Sequence, residues 1–252
     1  MSHVAIATPR FFSIVAYLGF GGRDVADRFK QAPVVDPIRP LQSAIWPHMY
    51  RQGAGSRESE RGSMRFLSPA QFIERSEVAD EFVAPSAALA NRLLSARGLG
   101  RLPPCSISYF VEELHRPGAA IGLHTRGTAN IRLNLAWLAA LAQRDIDPER
   151  EIAFVVLHEY AHFVLELLEA QEASAGAMRQ RIEAEHTDFL HRMQRLGWLA
   201  DPVLRKLLSN HNSIAEEWYC DAFAYWVAGI LPEPHAAFFD ELLAEVRVFP
   251  VA

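Results

Sequence analysis

Apolar positions along this chain recur with two periods, and the longer one dominates its second half. From Asp147 onward, Ile152-Ala-Phe-Val-Val-Leu157 leads into Phe163, Val164 and Leu167, a broad apolar surface at helical spacing. Asp147-Pro148-Glu149 marks the helix start: Asp can accept from free amides, Pro suits the first turn, and acids suit the positive end of the dipole. A second helix is expected from near Ile214 to about Gly229, opened by a Ser213/Glu216 capping box and stopped before Pro232. Between them, Met178, Ile182, Phe189, Met193 and Leu196 recur at three- to four-residue steps, broken at Ser174-Ala-Gly176 and at Gly197. That spacing predicts a helical hairpin over 165–212.

Period-two runs occupy the segment before these helices. Cys105–Val111, Ala119–Leu123 and Ala129–Leu133 read as short strands, bounded by Pro103-Pro104, Pro117-Gly118 and Gly127. Further upstream, Phe11–Phe20 reads as a strand, and 52–63, rich in Gly and Ser, as a mobile loop. Ser68-Pro69 opens a helix to about Val83; Pro85-Ser86 opens another through Leu89, Leu93 and Leu94, ending at Gly98. The pattern therefore predicts an α+β fold: a small mixed sheet packed on the helix that follows Asp147, with additional helices. Residues 1–100 form an accessory mixed α/β region, and 101–252 carry the main domain with its helical insertion.

Composition narrows the class. The chain has 252 residues, half of them apolar, enough for a sizeable core. A net charge of −5 and the lack of a basic stripe argue against nucleic acid as a partner. The ten-residue run at Phe11 is too short to cross a bilayer, so no membrane is expected. Two cysteines, Cys105 and Cys220, give no disulfide framework and allow a reducing compartment; a cytoplasmic location is the expectation.

Chemistry enters with His158-Glu-Tyr-Ala-His162, set within the first helix. Residues four apart on a helix differ by about 40° around its axis, so both imidazoles project from one side and can bind one Zn²⁺. Glu159 can then reach a water at that metal. On the later helix Glu217, Asp221, Ala224 and Ala228 share a stripe. Glu217 is the expected third ligand, and Asp221, one turn on, can accept the outward N–H of a ligating imidazole. Glu216 is a rival, but the capping box is expected to engage it. Within the hairpin, Glu183, Glu185, His186, Asp188 and His191 form a polar cluster, and His186 is a substitute for Glu217.

H-E-x-x-H followed by E-x-x-x-D on a later helix resembles the gluzincin branch of zinc metallopeptidases. The resemblance covers about residues 105–230 and implies a zincin-like fold, with His158, His162 and Glu217 as zinc ligands, Glu159 as general base, and Asp221 orienting a histidine. It also assigns Thr128–Asn134 to the family's edge strand and following turn. Metzincins place Gly and a third His where this chain has Leu165 and Leu168, which excludes that branch. The 54 residues between His162 and Glu217 (163–216) are a long insertion against the tightest gluzincins.

The implied reaction is hydrolysis of a peptide bond in a peptide or protein substrate: Glu159 takes a proton as water attacks the polarised carbonyl and delivers it to the leaving amine. A donor for the oxyanion is open among Tyr225, Tyr219, His211 and His235, and His124 and Arg126 can meet a substrate laid along a sheet edge. A selective intracellular protease is the expectation. The alternatives are a zinc-stabilised protein-binding module without hydrolysis, a regulatory protease of the phage-exclusion or stress-response kind, and a hydrolase acting on a non-peptide amide. Oligomeric state is open.

Overall fold

In a computed structural model, residues 76–114, 119–144, 147–171, 176–210 and 214–244 are described; the strand at Phe11–Phe20, the loop at 52–63 and the helix start at Ser68 lie outside them. The described elements run α1 (Ser76–Ala96), β1 (Ser106–Phe110), β2 (Gly122–His124), β3 (Asn130–Asn134), α2 (Leu135–Ala142), α3 (Pro148–Gln171) and α4 (Ala177–Leu196). A 3-10 turn (Gly197–Leu199), α5 (Pro202–Asn210), α6 (Ala215–Val227) and α7 (His235–Ala244) follow. The architecture is α+β.

Helix α1 corrects one expectation. The sequence reads as two helices meeting at Pro85, but one continuous helix runs through it. Pro85 forfeits the bond to the carbonyl of Glu81, and Glu81 is exposed, so water can serve that carbonyl. Val78, Ala79, Val83, Leu89, Ala90, Leu93 and Leu94 are buried in the same apolar cluster as α3. Their burial offsets the lost bond. The helix stops at Gly98, whose φ of 80° lets Leu99 N–H reach back to the Leu94 carbonyl at 2.9 Å. Helix α1 lies before residue 100 in the chain yet belongs to this common core.

The three strands form one sheet in the order β1-β3-β2, with β1 parallel and β2 antiparallel to the central β3. The resemblance puts the edge strand at Thr128–Asn134. The structure places β3 in the centre and makes β2 an edge beside α3, because Gly122–His124 runs antiparallel along the side of β3 that β1 leaves free.

Asn134, fully buried, ties the sheet ends together. Its amide donates to the carbonyls of Ala120 (2.9 Å) and Glu112 (3.0 Å), and its Oδ1 caps α2 by accepting from Ala136 N–H at 3.0 Å. Unpaired, those buried polar groups would each cost about 1–3 kcal/mol.

Helix α3 is buried along most of its length, between α1, α6 and the sheet. Asp147 Oδ1 accepts from Glu149 N–H at 3.2 Å, as the sequence predicts for its start. Helix α4 departs at Gly176 and ends at Gly197, so the described part of 165–212 is mostly helical, α5 following the 3-10 turn. Helices α4 and α7 bury α6 in an aromatic layer of Phe189, Trp218, Phe223, Trp226 and Phe239. Among the described residues no helix is long and apolar enough to cross a membrane.

Candidate metal centre

Helices α3 and α6 pack face to face, and the buried polar residues of the molecule concentrate at their contact. His158 and His162 sit one turn apart on α3 with ring centroids 5.5 Å apart. Glu217 on α6 reaches between them: Oε2 lies 3.2 Å from His158 Nε2 and Oε1 3.8 Å from His162 Nε2. Atoms bound at about 2.0–2.2 Å to one tetrahedral ion lie about 3.3–3.6 Å apart. Each Nε2 thus has one Glu217 oxygen within a few tenths of an ångström of that spacing.

The outer nitrogens are held by carboxylates. His158 Nδ1 lies 2.7 Å from Asp221 Oδ1, and Asn210 Nδ2 donates to the other Asp221 oxygen at 3.1 Å. An imidazole that donates from Nδ1 presents the lone pair of Nε2 inward, the tautomer a metal ligand needs.

His162 Nδ1 lies 3.3 Å from Glu216 Oε1, so Glu216 backs the second histidine. Helix α6 begins after Ile214, and Ser213, the partner of Glu216 in the expected capping box, lies outside the described residues. That hydrogen bond holds the Glu216 carboxyl below its ordinary value despite burial.

Glu159, 4% exposed, faces the opposite wall. Burial raises its pKa; His158 and His162 oppose that rise, as does the backbone N–H of His124 on β2, which hydrogen-bonds the carboxylate. Burial also pushes His158 down, but its bonds to Asp221 and Glu217 outweigh burial and raise it well above the ordinary imidazole range.

Glu159, Glu217 and Asp221 are thus three almost fully buried carboxylates beside two imidazoles. So much negative charge out of water is costly without a compensating cation.

One buried group, His158, His162 and Cys220, has ligand atoms all within 4.8 Å of one another and could hold a metal ion. Cys220 therefore competes with Glu217 for the role of third donor. Glu217 has the stronger claim, because its two oxygens approach both Nε2 atoms, and burial together with nearby Glu217 and Glu216 pushes the Cys220 thiol well up.

Other expectations fare differently. His186 lies in the aromatic layer, stacked on Phe189 and 5.5 Å from Trp218, and is not part of the metal-capable group. The polar cluster expected around it disperses, because helical spacing sends Glu183, Asp188 and His191 outward. Glu185 instead pairs with His235 at 2.5 Å. Tyr219 and His235 are engaged in the core, and His211 lies outside the described residues. Tyr225 is buried against Phe154. His124, by contrast, stacks on His162 with centroids 6.2 Å apart, while Arg126 is exposed and 3.5 Å from Glu166.

Sequence reading missed Gly122 and Asn210. A glycine inside a strand pattern signals close backbone approach, so Gly122 was findable. Nothing in the sequence marks Asn210. The chain matches no family model, no curated protein and no solved structure.

Proposed function

We propose that this chain is a zinc-dependent peptidase of gluzincin type with a zincin-like catalytic core. The observation that carries the reading is the convergence of Glu217 on both Nε2 atoms at 3.2 and 3.8 Å, with Asp221 and Glu216 behind the two rings. His158, His162 and Glu217 hold the metal. Bound Zn²⁺ supplies Lewis acidity, polarising a carbonyl and making water a nucleophile near neutral pH. Glu159 is placed to take the water's proton and pass it to the leaving amine.

Strand β2 lines the site beside α3. Asn134 N–H bonds to the Ile121 carbonyl and Thr125 N–H to the Asn130 carbonyl, both at 3.0 Å, so alternate residues face β3. Gly122 and His124 direct their backbone groups the other way, toward α3, where the His124 N–H meets the Glu159 carboxylate. His124 stands at the end of that strand, beside a ligand.

Glu159→Gln and Glu217→Ala test the reading. Glu159→Gln is expected to retain one zinc per chain while peptide cleavage falls by about 10²- to 10⁴-fold. Glu217→Ala is expected to hold zinc much more weakly, with less than one zinc per chain. Full cleavage by Glu159→Gln, or undiminished zinc in Glu217→Ala by elemental analysis, would overturn it.

A second reading, a zinc-stabilised binding module without hydrolysis, is favoured by Cys220, since structural sites close on four protein donors. A module of that kind keeps its whole function in Glu159→Gln.

A further inference from the structure

We propose that Cys220 is a fourth donor at the metal position of His158, His162 and Glu217, and that it closes the site in a latent resting form. The inference rests on the peptidase reading and adds regulation to it.

Helical geometry puts the sulfur within reach. Cys220 follows Glu217 by three residues, so its side chain leaves α6 about 60° to one side of the Glu217 direction and less than one turn on; Asp221 leaves about 40° to the other side. Both flanks of Glu217 therefore face α3. The Cys220 ligand atom lies with nitrogens of His158 and His162 in a set no wider than 4.8 Å, and its residue is fully buried.

A buried cysteine usually serves as a small apolar filler among apolar neighbours, and both Cys105 and Cys220 belong to the buried apolar cluster. Cys220 differs in that its sulfur also lies beside nitrogens of His158 and His162, with the Glu217, Glu216, Glu159 and Asp221 carboxylates near enough to act on it electrostatically. The Cys105 backbone N–H, by contrast, donates to Asn91 at 3.0 Å.

Two nitrogens, one carboxylate oxygen and one sulfur complete a tetrahedron, the arrangement of closed zinc sites. As the sulfur–metal bond forms, the S–H bond breaks and its proton leaves to solvent. With four protein donors in place there is no position for water or a substrate carbonyl. Catalysis then requires Cys220 to withdraw and recover its proton, while His158, His162 and Glu217 keep the metal. A thiolate donor also biases the site toward zinc and other thiophilic ions over magnesium or calcium.

Cobalt(II) substitution reads the sulfur directly. The full chain, loaded with one Co²⁺, is expected to show an intense near-ultraviolet sulfur-to-cobalt charge-transfer band. Cys220→Ser and Cys220→Ala should both lose it, and Cys105→Ala should keep it.

Removing one of four donors should weaken zinc binding about a hundredfold, roughly a quarter share of the free energy with which four-donor sites hold zinc. Both Cys220 variants should cleave peptide faster than the unaltered chain. Circular dichroism on each variant checks folding, and the band in the unaltered chain needs no variant at all. Stoichiometric cobalt without that band would overturn the role of Cys220 and leave the His158/His162/Glu217 site standing. Failure of the unaltered chain to bind Co²⁺ or Zn²⁺ would overturn both.

Discussion

Gly122 shows how a residue without a side chain shapes the site. A Cβ built there would meet Glu159 Oε1 and Val155 Cγ1 at 2.8 Å, so only glycine lets β2 lie this close to α3. Gly122→Ala is expected to displace the Glu159 carboxylate and lower cleavage about a hundredfold, the scale of a small misplacement of a reacting group. Zinc content should be unchanged, and overpacking should remove about 1–3 kcal/mol of stability. Steady-state kinetics beside metal analysis checks this; loss of metal would show a wider disturbance.

His186 is the opposite case, a buried polar group set in the aromatic layer. Its Nε2 is buried without a hydrogen-bond partner among the described residues, and burial lowers its pKa. A folded value below the unfolded one means that folding opposes protonation. The stability brought by neutral His186 is fully present above about pH 6.5 and is lost as pH falls through the folded value. His186→Phe, which keeps the stack on Phe189, is expected to raise stability by about 1 kcal/mol at pH 7 and by more at pH 5. Urea midpoints at the two pH values test this, and an equal gain at both would refute the pH part.

Among the elements, α1 carries the clearest internal conflict. Pro85 interrupts its hydrogen bonding, yet packing on α3 keeps the helix whole. Pro85→Ala restores the missing donor and should stabilise the protein by about 1–3 kcal/mol, visible in the denaturant midpoint. No change would indicate that the chain already compensates there.

Helix α6 does several tasks through one turn of spacing. Glu217 and Asp221 reach the histidines of α3, Glu216 backs His162, and the opposite face carries Trp218, Phe223 and Trp226 into the aromatic layer. A shift of α6 along α3 would therefore disturb all three acids together. The hairpin of α4 and α5 anchors it: Phe189 packs on Trp218 from α4, and Asn210 holds Asp221 from the end of α5.

At the scale of the whole molecule, the site bridges elements distant in sequence; His158 and Asp221 are 63 positions apart. A metal bound there links α3 to α6 and stabilises only the folded chain. Chelation is expected to lower the thermal midpoint by several degrees, about 3 kcal/mol if the metal is present at 100 times its dissociation constant. Glu217→Ala should show little further loss on chelation. Calorimetry with and without chelator checks both statements, and an unchanged midpoint in the unaltered chain would argue against a resident metal.

Much of this was legible in sequence because it is local. The period of apolar positions defined α3, end signals bounded α6, Asp147 marked the start of α3, and the four-residue spacings fixed that His158 lies with His162, and Glu217 with Asp221, on shared faces. Helical geometry alone dictates such relations. The remaining features depend on groups brought together from afar. Packing carried α1 through Pro85, and sheet topology made β2 the edge and pressed Gly122 onto Glu159. The approach of α6 to α3 gave Glu216 a histidine partner and brought Cys220 beside the two rings. Local periodicity encodes which face a side chain takes; only the packed chain decides what that face meets.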